Sequence, residues 1–317
     1  MRDTVILLAT FNGEKYLRQQ LDSIFAQTYQ TFRLVVHDDG STDDTVSIIN
    51  EYRDRYPDKI EIFHGRPCGS AKENFLWMLK RVEADYYFLC DQDDVWFEDK
   101  LKRSIEAVEE VYMESKEEAM PVCAFSDMKV VDEDLQLISE SFIRYIGRLP
   151  KNTAYTQILI DNPAAGCAMC FNKPLRDLVV AAVDDMDIEN IPMHDALILE
   201  IAAIMGRVVS IDKPLALYRQ TGHNTMGATT ETDTDKANRN FADLKAGSLF
   251  AKKRAFMNEA RLFAGEVAKA EFLPKDKKNI LIRFANIGKK SKIRRVSFYL
   301  RNNFSRARHN LWFLLWV

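Results

Sequence analysis

Short apolar runs punctuate the first 90 residues, and between them apolar positions recur every three or four residues. The runs are VILLA (5–9), FRLVV (32–36), IEIF (60–63) and YYFLC (86–90). Their shortness and unbroken apolar character predict strands buried on both faces. Tyr16, Leu17, Leu21, Ile24 and Phe25, then Val46, Ile49 and Tyr52, then Phe75, Leu76, Met78 and Leu79 are spaced as on one side of a helix. A β-α-β-α order of this kind predicts a parallel sheet with helices on both faces, whose ligands collect beyond the carboxyl ends of the strands. Those ends read TFNG (10–13), HDDGSTDDT (37–45), GRPCGSAKENF (65–75) and DQDD (91–94).

Two of these ends are rich in acid. In DDGSTDDT, Ser41, Thr42 or Asp43 can cap the following helix and Asp44 suits its positive end. Capping does not account for Asp38 and Asp39, which repel each other unless donors such as a nucleobase N–H or ribose hydroxyls meet them. DQDD can cap a helix beginning near Glu98, but Asp91, Asp93 and Asp94 exceed what a cap requires. An Asp-x-Asp spacing lets alternate side chains converge on a hard divalent cation.

Composition narrows the class. With 317 residues, 47% hydrophobic and 29% charged, the chain suits one large domain with an appendage, or two modest domains, and disordered or collagen-like classes are excluded. A net charge of −3 gives no reason to expect a nucleic-acid partner. Cys68, Cys90, Cys123, Cys167 and Cys170 lack the paired spacing of structural zinc and read as reduced thiols. The start, MRDTVILLATFNG, has an apolar run too short for a signal core or a membrane span. A cytoplasmic protein is expected.

The ordered series ATFNGEKYLRQQLDSIFAQTY, DDGSTDDT, GSAKENF, CDQDDVW and HD at 194–195 resembles the family 2 glycosyltransferases, inverting enzymes with the α/β GT-A fold, a Rossmann-like, mostly parallel sheet. DQDDVW together with YRQTGHNTMGA is most similar to their bacterial rhamnosyltransferase-like branch. The resemblance spans residues 3 to 227. It implies a catalytic domain over 1–227, with a nucleotide-sugar half to about 127 and an acceptor half from about 128, followed by a helical, basic region over 228–317. It further implies that Thr10, Asn12, Asp38, Asp39, Gly69, Lys72, Asn74 and Asp91 hold the nucleotide. Asp93 would bind Mn²⁺ or Mg²⁺ against the diphosphate, with His223 as a further ligand, and Asp94 would orient the donor sugar. Arg219 or Gln220 would contact phosphate. Asp195 would be the base that takes the acceptor proton, with His194 in support. A base at a helix start must gain basicity from its surroundings, since the helix end favours the carboxylate. NPAAGCAMCFN (162–172) resembles the acceptor-side strand, with Gly166 permitting close backbone approach. The implied reaction moves a sugar, L-rhamnose from dTDP-L-rhamnose or alternatively a hexose from a UDP-sugar, to a hydroxyl of a lipid-linked polysaccharide precursor.

The remainder changes character. TTETDTDKANRN (229–240) reads as a polar loop, residues 241 to 273 as helix, and from Arg283 onward there are nine Lys or Arg and no acid. Ile293, Val296, Leu300, Phe304, Ala307, Leu311 and Leu314 fall on one helical face, and NLWFLLWV ends with Trp312 and Trp316. That pattern predicts an interfacial helix on an anionic membrane, holding the enzyme at the inner face of the cell membrane; the alternative is a basic helix packed on the catalytic domain or on another subunit of an oligomer. Other chemistries fit less well. An Asp-nucleophile phosphatase would carry its Asp-x-Asp after the first strand, and a sugar nucleotidylyltransferase a Gly-rich basic loop there, whereas that strand ends ATFNG. A non-catalytic nucleotide-sugar-binding protein at the membrane surface is not separated from an enzyme by sequence.

Overall fold

The computed structural model describes residues 2–117, 119–222 and 248–305. The four apolar runs form β1 (Thr4–Thr10), β2 (Arg33–Asp38), β3 (Ile60–Phe63) and β4 (Tyr86–Cys90), joined by α1 (Leu17–Phe25), α2 (Thr45–Arg55) and α3 (Ala71–Leu79). There follow β5 (Val95–Trp96), α4 (Lys100–Ser115), β6 (Val122–Val131), β7 (Leu137–Ser139), α5 (Phe142–Tyr145), α6 (Tyr155–Asp161), β8 (Met169–Asn172), α7 (Lys173–Val183), α8 (His194–Met205) and β9 (Arg207–Arg219). Val5 to Leu8 of β1 and Tyr87 to Cys90 of β4 are fully buried, as strands covered on both faces must be.

The order β3-β2-β1-β4 is parallel throughout, so the winding reverses at β1, the place where such sheets bind ligands. Register pairs Thr10 with Asp38 and Leu8 with Cys90, which brings the polar ends of β1, β2 and β4 to one edge. Beyond β4 the expected, mostly parallel sheet becomes mixed. β8 runs antiparallel to β4 and β6, β9 is parallel to β6, and β5 is antiparallel to β9. A parallel pair needs a crossover back to the starting end. The stretch between β6 and β8 holds β7 and the short α5 and α6, and it delivers β8 antiparallel to β6. One continuous sheet therefore serves both halves, with β6 spanning the expected division near 127.

The C-terminal region supplies α9 (Ser248–Val267), α10 (Lys275–Asn286) and α11 (Lys292–Arg301). Glu266 on α9 accepts hydrogen bonds from Asp187 N at 2.8 Å and Asn190 Nδ2 at 3.2 Å, and Thr156 Oγ1 donates to Asn303 O at 3.3 Å. The expected single apolar face is split. Phe304 is buried and stacked on Phe284 at 4.5 Å, in a cluster with Phe298 and Tyr299, because α11 ends at Arg301 and the chain turns inward. Ile293 and Leu300 stay outside, and Ala307, Leu311, Trp312, Leu314 and Trp316 lie outside the described residues. No helix among the described residues is long and apolar enough to cross a membrane.

Candidate active site

A cavity of about 200 Å³ opens at the carboxyl ends of β1, β2 and β4. Thr10, Asp39 and Asn74 line one side, Asp91 and Asp93 the floor, and His194 and Asp195 face them from the acceptor half. The site forms because three strand ends in register deliver TFNG, DDGSTDDT and DQDD together, while α8 points its first turn at them.

On the nucleotide side, Asp39 accepts from Cys68 N and from Gly69 N, the latter at 2.9 Å, so Gly69 (φ +88°) holds the acid rather than lining the cavity. Asn74 is buried; its Nδ2 donates to His37 O at 3.2 Å and its Oδ1 meets His37 Nδ1 at 2.9 Å. Asp38 turns inward, accepting from Thr10 Oγ1, Gly40 N, Ser41 N and Ser41 Oγ at 2.6–3.0 Å. Asn12 braces the same loop, its Oδ1 accepting from Thr42 N at 2.9 Å. Lys72 reaches across the molecule instead of into the pocket, donating to Ile188 O at 2.7 Å and Ile191 O at 2.9 Å. Asp44 takes the capping position of α2 without a side-chain bond, and Asp43 just before it accepts from Thr45 N at 3.0 Å.

The DQDD turn is no helix cap, since β5 and Asp99 separate it from α4. Gln92 instead clips the turn to the end of β1, with Nε2 donating to Phe11 O and Oε1 accepting from Phe11 N, both at 2.9 Å. Gly13 makes this fit possible: a Cβ there would lie 2.2 Å from Gln92 Oε1. Asp91, Asp94 and the Cys167 thiol place ligand atoms within 4.8 Å of one another, while Asp93 faces the cavity. Burial and the neighbouring Asp93 charge push Asp91 up to about 7. Burial also raises Asp93, and burial together with both neighbours raises Asp94 far above the carboxylate range. Asp94 is fully buried, accepts from Arg219 N at 3.2 Å and leaves Oδ2 without a partner. Three acids crowded together and held from water fit a hard divalent cation, which would relieve both their burial and their mutual repulsion.

Arg219 lies beneath this turn. Its guanidinium donates to Asp93 O at 2.8 Å, to Glu133 O and to Gln19 Oε1, and it stacks over Tyr16, so it shapes the turn from below. Gln220 pairs through its backbone with Val131 O at 2.9 Å and does not line the cavity. His223 lies outside the described residues. Sequence reasoning passed over Lys100, which is fully buried, donates to Cys167 O at 2.8 Å and sits 4.8 Å over Trp96. A signal existed: an acid as buried as Asp94 calls for a cation within reach, and Lys100 is the first lysine after it.

Asp195 sits in the first turn of α8 behind Met193, which takes the capping position. Its Oδ1 accepts from Ala196 N at 2.5 Å and its Oδ2 from Gly166 N at 3.1 Å. Both bonds and the helix end favour the carboxylate. Burial outweighs them and raises Asp195 to about 6, the gain in basicity that a base in this place requires. His194 packs 4.4 Å from Phe75, and burial lowers it to about 3, so it remains neutral. Gly166 admits both side chains: a Cβ there would lie 2.7 Å from His194 Nε2.

The profile described as Glycosyl transferase family 2 matches residues 5–178. Among curated proteins, the dTDP-rhamnosyl transferase RfbG of Shigella flexneri is 28% identical over 235 residues, covering 70% of this chain and 74% of its own length. Among solved structures, S. aureus TarS in complex with UDP-GlcNAc superposes with a TM-score of 0.55 at 17% identity, over 95% of this chain and 80% of that one. The mannosyltransferase PcManGT from Pyrobaculum calidifontis, in complex with GDP-Man and Mn²⁺, gives 0.52 at 13% identity, over 94% and 73%. At these identities the two structures bear on the fold alone.

Proposed function

The chain belongs to glycosyl transferase family 2 and is a glycosyltransferase of the GT-A fold that draws on a nucleotide-sugar donor, and from that premise we propose that it transfers L-rhamnose, with inversion, from dTDP-L-rhamnose to a hydroxyl of a lipid-linked polysaccharide precursor. One observation carries the division of labour: Asp91 and Asp93 face Asp195 across a single cavity of about 200 Å³. In this reading Thr10, Asp39 and Asn74 receive the base and ribose. Asp91 and Asp93 would hold Mn²⁺ or Mg²⁺, which would supply Lewis-acid stabilisation of charge on a diphosphate leaving group. Asp195 removes the acceptor proton from the opposite side, and neutral His194 and Gly166 fix its place. Asp94, Arg219, Lys100 and Gln92 set the turn that carries the acids. Residues up to about 227 form the catalytic unit, and the cationic C-terminal region brings it to the inner face of the membrane, where such an acceptor is presented.

The donor assignment rests on the likeness to RfbG. Incubating the protein with dTDP-L-rhamnose, UDP-glucose, UDP-galactose and UDP-GlcNAc, with and without Mn²⁺ or Mg²⁺, tests it. Metal-dependent turnover of dTDP-L-rhamnose is expected; consumption of a UDP-hexose alone would replace the donor while leaving the family and the role of Asp195 in place.

A further inference from the structure

Between α10 and α11 lies a groove of about 610 Å³. Arg283, Lys290, Arg294 and Arg301 line it, and no acid does. No ion pair joins any of these four cations to another described residue. All four are exposed, with Arg283 lying 5.1 Å over the Phe298 ring, so the groove carries a positive field that attracts an anion.

The apolar side chains beside the cations make the second observation. Ile293 is 83% exposed and Leu300 64%, seven positions apart and so on the same side of α11, with Ile282 of α10 also exposed. A single exposed leucine means little. Here the opposite side of the same helix, through Phe298 and Tyr299, is buried in the aromatic cluster. The helix is therefore fixed in a rotation that turns Ile293 and Leu300 outward among arginines, the arrangement of an element resting in the headgroup layer of a bilayer. α9, packed against α10, is in turn bonded through Glu266 to Asp187 and Asn190, a few residues before Asp195.

We propose that this groove seats the phosphate headgroup of an anionic membrane phospholipid among Arg283, Lys290, Arg294 and Arg301, with Ile293 and Leu300 entering the acyl boundary. This deepens, and rests on, the reading of a membrane-surface enzyme, and it assigns the contact to a site among the described residues rather than to Trp312 and Trp316. Contact here sets the acceptor-side half of the cavity against the bilayer that carries the acceptor.

The test is flotation of the full chain with vesicles of phosphatidylcholine alone or mixed with phosphatidylglycerol, at low and high salt. Wild type is expected to float with the mixed vesicles only. Arg283→Glu/Arg294→Glu/Arg301→Glu should lower that partition roughly tenfold or more at low salt, and Ile293→Glu/Leu300→Glu should remove the part that persists at high salt. Millimolar inorganic phosphate should leave binding intact; release by phosphate would make the groove a free-phosphate site and overturn the assignment. Thermal melting and nucleoside-diphosphate titration of each variant identify any that fail to fold, and the single substitution Arg294→Glu then carries the test. If the groove variants float like wild type while Trp312→Ala/Trp316→Ala does not, the groove is wrong and the membrane reading stands. If wild type binds neither vesicle, both fall.

Discussion

Two acid-rich strand ends flank β1 in this molecule, and they are built in opposite ways. At the end of β2, Asp38 accepts four hydrogen bonds and Asp39 two from backbone N–H groups. At the end of β4, Asp94 keeps an oxygen without a partner, and all three acids of the turn are raised by burial. The first loop is internally satisfied and presents one shaped acid to a ligand. The second is under electrostatic strain that a proton or a bound cation relieves. Counting carboxylates does not separate the two; their donors do.

The contrast breaks most visibly in activity. Asp93→Ala and Asp195→Asn are each expected to lower turnover about 10²–10⁴-fold, the first with loss of Mn²⁺-dependent nucleotide affinity and the second with affinity near normal. Calorimetric titration of both variants checks this, and equal loss of affinity would refute the division of roles. Acid should act through Asp195: the working form is the carboxylate, so the rate at saturating donor should fall below about pH 6, roughly tenfold per unit. A pH profile unchanged down to pH 5 would remove it as the base.

Asp38→Ala probes the satisfied loop. Loss of several donors to a charged acceptor should cost about 3 kcal/mol of stability, read by chemical denaturation, with the metal response retained; a metal affinity lowered as far as in Asp93→Ala would merge the two loops into one site. The smallest effect concerns Glu200, fully buried on α8 with neither oxygen partnered and its carboxyl raised far above the usual range by burial. The unfolded chain ionises this group above about pH 4.3 and the folded chain does not, so stability declines as pH rises between those values. Glu200→Gln should remove that decline and raise the melting temperature by about 2–4 °C at neutral pH.

The donor half was legible because its physics is local. IEIF and YYFLC coincide with β3 and β4, and periodicity located all three intervening helices within a few residues. Thr10, Asp39, Asn74, Asp91, Asp93, His194 and Asp195 line one cavity. What sequence concealed depends on which way a side chain turns. Asp38 turns into its own loop toward Gly40 and Ser41, and Arg219 beneath the DQDD turn toward Gln19 and Glu133, far away in the chain. The acceptor half was harder because β8 enters against its neighbours, and no periodicity announces strand direction. Phe304 was misread for a related reason: its spacing fits the outer face, but α11 ends three residues earlier.

Lys72 closes the matter of how the halves communicate. Its ammonium bridges the loop beside Asp39 to the carbonyls of Ile188 and Ile191, only a few residues ahead of α8. Anyone exchanging the 65–75 segment to alter donor choice would therefore also be editing the mounting of Asp195, and a graft that omits this lysine should mis-set a residue it never touched.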